Sequence, residues 1–168
     1  MDRLLQAMIE YEKGSPQRVQ HLLKVYEFSR LIGKMEKLDE HTQLILESAA
    51  IVHDIGIRLS LEKYNSSSGN YQEIEGPPEA RALLESLDWP KDVTERVCWL
   101  VGHHHTYTNI DKIDYQILVE ADFLVNLYEE ESAPSVQRSV YQKIFQTESG
   151  KKICALLYPA VLEQADAK

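Results

Sequence analysis

Ala49-Ala50-Ile51-Val52-His53-Asp54-Ile55-Gly56-Ile57 closes an apolar run with an imidazole and a carboxylate side by side. Ile45 and Leu46 extend the run backwards, so a helix is expected over about residues 40–54, with Asp39 as its N-cap. By helix geometry His53 and Asp54 cannot both face a core unless they gather around something at the helix end. Upstream, His21 shares a predicted helix face with Val25, Phe28 and Ile32; downstream, Asp122 shares one with Leu118 and Val125. Taken singly, each has a plain explanation. His21 reads as a hydrogen-bonded core histidine, and Asp122 as half of a structural ion pair, since a carboxylate on an apolar face is costly unless paired or metal-bound. Together they form the mixed nitrogen and oxygen donor set that suits divalent Fe, Mn, Co, Ni or Zn.

A second cluster is His103-His104-His105. His104 continues the face of Val93, Val97 and Leu100, with His103 beside it, whereas His105 is assigned to solvent. The bare triplet is also what a solvated helix end would show, where protonated imidazole complements the helix dipole.

Outward from these residues the chain reads as consecutive helices. A first helix is expected over about 2–12, ending before Gly14, and Ser15-Pro16 then starts a second that runs to about Met35 in the cap-then-proline order. Residues from about 55 to 75 lack periodicity and contain Asn65-Ser66-Ser67-Ser68-Gly69-Asn70; such a connection is either functional or an ordinary surface loop. Helices are expected from Pro77-Pro78 to Leu87, from Pro90 to His104, and over about 112–130. Two further amphipathic segments, about 134–147 and 149–165, carry no chemistry and either bury against the bundle or form a homodimer interface. The expected fold is all-α, one domain over residues 1–168.

Composition limits the function. The chain has 168 residues, 43% hydrophobic and 27% charged, enough for one sizeable core. Seven Gly and six Pro leave few turns for an all-β fold. A net charge of −9 argues against binding polymeric nucleic acid, which needs Lys and Arg against phosphates, although bound cations would reverse the potential locally. Cys98 and Cys154 read as two buried thiols. With no signal-peptide pattern and no apolar run near the roughly 18 residues of a membrane span, no membrane partner is expected and a cytoplasmic location follows by default.

With these residues in hand, the sequence resembles the HD-domain metal-dependent phosphohydrolase superfamily, whose pattern is His…His-Asp…Asp. Here that pattern is His21, His53-Asp54 and Asp122, carried by QHLLKVYEFSR, AAIVHDIGI, WLVGHHH and LVEADFLVN across about residues 15–130. The resemblance implies a helical bundle of the HD type that presents those four residues to a metal. Two-metal members carry a further His before a Gly-Pro helix start; EGPPEARALL resembles that start, with Glu75 in the histidine's place. Glu75, His103 and His104 would then hold a second ion, with Asp54 bridging; acting on a water or substrate, or capping the helix, are the alternatives for Glu75. The implied cofactor is one or two divalent ions, drawn from Fe, Mn, Co, Ni, Zn or Mg.

The implied activity is hydrolysis of a phosphomonoester or phosphodiester in a small molecule, by family analogy a nucleotide, with Asp54, His103 and His104 as catalytic residues. Many relatives have Lys directly after HDIG; here Ile57 and then Arg58 follow. Arg58, Lys24, Lys63 and Arg81 are the candidates to meet phosphate, each with solvated surface as its plain alternative. Tyr64 and Tyr71 are candidates to close over a base or sugar. The chain lacks the Gly-Tyr-Pro motif of the superfamily's cyclic-di-GMP phosphodiesterases. Two other readings stay open: a di-iron oxygenase of the same helical type, and a non-catalytic module that keeps the metal.

Overall fold

The computed structural model describes residues 1–163, and these form nine α-helices, a closing 3-10 turn and no strand. The helices are α1 (Asp2–Tyr11), α2 (Pro16–Met35), α3 (Glu40–Val52), α4 (Ile57–Tyr64), α5 (Gly69–Ser86), α6 (Lys91–Val101), α7 (Ile113–Glu129), α8 (Pro134–Ile144) and α9 (Glu148–Leu157), followed by the 3-10 turn Pro159–Val161. The end of the segment expected at 149–165 lies outside the described residues.

The local signals at the first helix starts are used as the sequence suggests. Pro16 occupies the first turn of α2, where a missing N–H costs nothing. Asp39 caps α3, its Oδ1 accepting from the backbone N–H of His41 and Thr42 at 3.0 Å each. The two middle helices are buried on almost every face: α3 through Ile45, Leu46, Ala49, Ala50, Ile51 and Val52, and α7 through Tyr115, Ile117, Leu118, Ala121, Leu124 and Val125. α2 packs along both, α6 lies on α3, and α5 packs against α6 and α4. In the C-terminal part, α8 and α9 pack on α7, and α9 also reaches α2. Cys98 and Cys154 are buried free thiols. Among the described residues no helix is long and apolar enough to cross a membrane.

The segment expected to be a long loop is instead helical. α4 occupies Ile57–Tyr64 and α5 begins at Gly69, leaving only residues 65–68 between them. Asn65 ends α4 in the left-handed conformation at φ 51°, which asparagine tolerates better than most residues. Pro77 and Pro78 do not start a helix; they lie inside α5. Tertiary packing overrides the local helix-breaking signal here. Gly56 lies against the α5 backbone, and a Cβ on it would stand 2.7 Å from the carbonyl oxygen of Gln72 and 2.8 Å from the nitrogen of Gly76. Gly76 in turn lies against Val101 of α6. The turn after His53-Asp54 is thereby clamped onto α5 by two glycines.

The helix expected to reach His104 stops at Val101, so all three histidines sit on the turn that follows. Their path is held by the N–H of His103 donating to the carbonyl of Leu100 and by the Tyr115 hydroxyl against the carbonyls of His103 and Thr106. The last two helices are also shorter than expected, since Phe145 leaves the helical conformation and Thr147 caps α9.

Candidate metal centre

Three elements bring the four motif residues together. His21 comes from the second turn of α2, His53 and Asp54 from the turn ending α3, and Asp122 from the middle of α7. His21 Nε2 lies 3.2 Å from Asp122 Oδ1, 3.2 Å from His53 Nε2 and 3.5 Å from Asp54 Oδ2. His53 Nε2 is 3.5 Å from Asp54 Oδ2 and 3.7 Å from Asp122 Oδ1. The other oxygen of Asp54, Oδ1, faces a different group, 3.4 Å from Nε2 of His104. Asp54 thus stands between two sets of donor atoms, one oxygen toward each.

The ring nitrogens are oriented by the ends of helices. His53 Nδ1 donates to the carbonyl of Ala50 and His104 Nδ1 to that of Val101, each at 2.8 Å. These are last-turn carbonyls that an α-helix leaves without an amide partner. Committing the proton to Nδ1 leaves each Nε2 with its lone pair turned toward Asp54, the second-sphere arrangement usual for metal-binding histidine. His21 achieves the same orientation through a side chain, since its Nδ1 lies 2.9 Å from Glu129 Oε2.

Electrostatics follow from burial and neighbouring charge. Burial opposes protonation of His21, but the Asp122 hydrogen bond and the nearby Asp54 and Glu129 outweigh it and lift the imidazole to about 9. Burial first, and then the charge of His21 and His104, keeps the imidazole of fully enclosed His53 below the ordinary value against the pull of Asp54 and Asp122. Burial would raise Asp54, yet the imidazoles of His53, His104 and His21 hold it well below the usual carboxylate range. Asp122 is likewise lowered: burial acts against ionisation and the hydrogen bond from His21 prevails. Two ionised carboxylates therefore meet the imidazole nitrogens in a buried space, and a bound cation would replace the proton that they hold on His21.

These donors fit a divalent metal. His21, His53 and Asp54 each offer one atom within 4.8 Å of the others, and so do Asp54, His104 and His105. Nε2 of His104 and Nε2 of His105 are buried without a hydrogen-bond partner, atoms that a cation would satisfy.

The structure departs from the expected second group. His105, assigned to solvent from the sequence, is partly buried and stands beside His104, with ring centroids 4.0 Å apart. Its backbone N–H donates to Glu73 at 3.1 Å, and its ring lies over Gly69 at the start of α5. Early termination of α6 is the reason, because the turn rotates the triplet relative to the extended helix. His103 instead commits Nδ1 to the carbonyl of Trp99 at 2.6 Å and stacks on the Trp99 ring. Glu75 is buried, accepting from Lys63 Nζ at 2.6 Å and from the Tyr64 hydroxyl at 2.8 Å, and stands in neither donor group.

The other candidates for substrate contact are engaged within the protein. Lys24 pairs with Glu129 at 2.6 Å, Arg58 with Glu62 at 3.2 Å, and Arg81 with both oxygens of Glu95 at 2.7 and 2.8 Å. Tyr64 and Tyr71 stack on one another, 4.1 Å apart and nearly parallel. Sequence reasoning missed Glu129, whose one signal is its place two turns after Asp122 on α7.

Comparison with known proteins agrees with this architecture. The sequence profile of the HD domain matches residues 18–141, well over half of the chain. The chain belongs to the HD domain family. Its fold is similar to the crystal structure of a predicted HD superfamily hydrolase from an uncultured Thermotogales bacterium, at 23% identity and a TM-score of 0.70, covering 96% of this chain and 87% of the other. No curated protein matches the sequence.

Proposed function

We propose that this HD domain is a divalent-metal-dependent phosphohydrolase whose substrate is a small phosphorylated molecule of the nucleotide class. The observation that carries the reading is Asp54 standing between two donor groups, one oxygen toward His21 and His53 and the other toward His104. His21, His53, Asp54 and Asp122 would hold one ion, and Asp54, His104 and His105 a second. A divalent ion in such a site lowers the pKa of a water and acts as a Lewis acid on phosphoryl oxygens. The protein's own residues supply the remainder. Asp54 and Asp122 provide negative charge in a buried setting, and the backbone carbonyls at Nδ1 of His53 and His104 keep both rings in one tautomer. His103, hydrogen-bonded among the described residues only through Nδ1, is the group assigned to protonate the leaving oxygen at Nε2.

Lys63 is the cation proposed to meet phosphate. Its side chain is half exposed and its partner is Glu75, with which a substrate phosphate would compete. The stacked pair Tyr64 and Tyr71 offers an aromatic face beside that lysine, which supports a nucleobase-bearing substrate. A neighbour described as a predicted HD superfamily hydrolase supports hydrolysis as the reaction class.

The test is elemental analysis of purified protein, followed by a panel of nucleotides and other phosphate esters with the identified metal added. Asp54→Ala should lose both the metal and the hydrolysis, and full activity in that variant would end the proposal. The same donor atoms suit two iron ions, so the panel is run alongside O₂ uptake. Consumption of O₂ without phosphate release would assign the centre to oxygenase chemistry instead.

A further inference from the structure

His21 differs from the other imidazoles of the centre in how it is held. His53 and His104 follow helix ends and find free last-turn carbonyls for Nδ1. His21 lies inside α2, where the neighbouring carbonyls are consumed by the helix's own i to i+4 bonds. No backbone acceptor is open to its Nδ1, so a side chain must supply one.

Glu129 does so from the last residue of α7. Its Oε2 accepts from His21 Nδ1 at 2.9 Å, and its Oε1 accepts from Lys24 Nζ at 2.6 Å. Lys24 and His21 are three residues apart on α2 and so occupy the same face, over one stretch of α7. The carboxylate spans both, which fixes its position at two points. Glu129 and Asp122 are two turns apart on α7, so one helix supplies both a donor facing His21 Nε2 and the acceptor facing Nδ1.

We infer that Glu129, anchored by Lys24, is the positioning residue of the centre: it fixes the tautomer and ring plane of His21 and thereby sets how tightly the His21 side holds a divalent ion. The inference rests on the reading of His21 as a metal ligand. Second-sphere partners of ligating histidines carry about 10- to 100-fold in metal affinity.

The experiment measures Mn²⁺ and Zn²⁺ affinity by competition with a chromophoric chelator, with thermal midpoints recorded on metal-free protein. Glu129→Ala should weaken binding by about 10- to 100-fold, and Glu129→Gln, which keeps the volume and one acceptor oxygen, by about 10-fold. Should the alanine variant fold poorly, the glutamine variant carries the test. Lys24→Met removes the tie between α2 and α7 but leaves the His21 to Glu129 bond. A mere structural strap therefore predicts equal losses of affinity in Lys24→Met and Glu129→Ala; positioning predicts that Lys24→Met loses no more than about threefold. In Zn²⁺-loaded protein the His21 Nδ1 proton should be visible far downfield by NMR and should vanish in Glu129→Ala. If His21→Ala loses the metal while both Glu129 variants bind as the parent does, the inference falls and the centre stands. If His21→Ala itself binds like the parent, the centre falls instead.

Discussion

Replacing Glu120 with alanine should destabilise the protein without touching the centre two residues away. Glu120 is fully buried, and its carboxylate gathers four donors: the backbone N–H of Gln146 at 2.6 Å and of Thr147 at 2.9 Å, the Thr147 hydroxyl, and the Gln116 amide at 2.7 Å. Thr147 is the N-cap of α9, so one side chain of α7 sets where that helix begins. In the alanine variant the Gln116 amide and the Gln146 N–H, both partly exposed, can turn to water. The Thr147 N–H and hydroxyl cannot, and each stranded donor costs about 1–3 kcal/mol. Relief from burying the carboxylate offsets part of this, leaving a net loss of about 3 kcal/mol. For a domain of this size that corresponds to a fall of about 6–12 °C in the thermal midpoint. Urea denaturation and calorimetry measure both quantities. Glu120→Gln should also destabilise, because it turns an amide donor toward other donors. A change within about 0.5 kcal/mol in both variants would refute the assignment of Glu120 as the anchor of α9.

Gly56→Ala should drive a methyl group into the α5 backbone at Gln72 and Gly76, neither of which can yield cheaply. The expected cost is about 1–3 kcal/mol together with weaker metal binding, since Asp54 is two residues away; unchanged chelator competition would argue that the turn is not held by that contact. The Asp39 cap predicts a pH dependence. Hydrogen bonds from the Thr42 hydroxyl and backbone hold the Asp39 carboxyl below its ordinary value. Its stabilising contribution is therefore present above the unfolded-state pKa and is lost as pH falls through the lower, folded-state pKa. Parent and Asp39→Ala should differ in stability at neutral pH and converge in acid, and a constant gap across that range would contradict the cap's role.

Much of the helical layout was legible because its signals are local. Ser15-Pro16 starts α2 and Asp39 caps α3 through contacts within one turn of chain. His21, His53, Asp54 and Asp122 stood out because each breaks an apolar pattern that has no other need of it, and the fold brings all four to one place. Local signals misled where packing outweighs them. The stretch from 55 to 75 and the paired prolines read as a loop and a helix start, yet α5 begins at Gly69 and runs through both prolines, because Gly56 and Gly76 let its backbone lie against the turn after Asp54 and against α6.

The partition at the second donor group has the same origin. Periodicity assigns faces along a continuing helix, and α6 ends at Val101, so the turn beyond it carries His105 to His104 and leaves His103 stacked on Trp99. The sequence by itself determined an all-α chain and the identity of its buried imidazole and carboxylate donors, since both follow from residue type and spacing within single elements. Only the tertiary structure decided where α3 and α6 end, which turns Nε2 of His53 and His104 inward, and that Glu129 stands behind His21, a contact between helices more than a hundred residues apart in the chain.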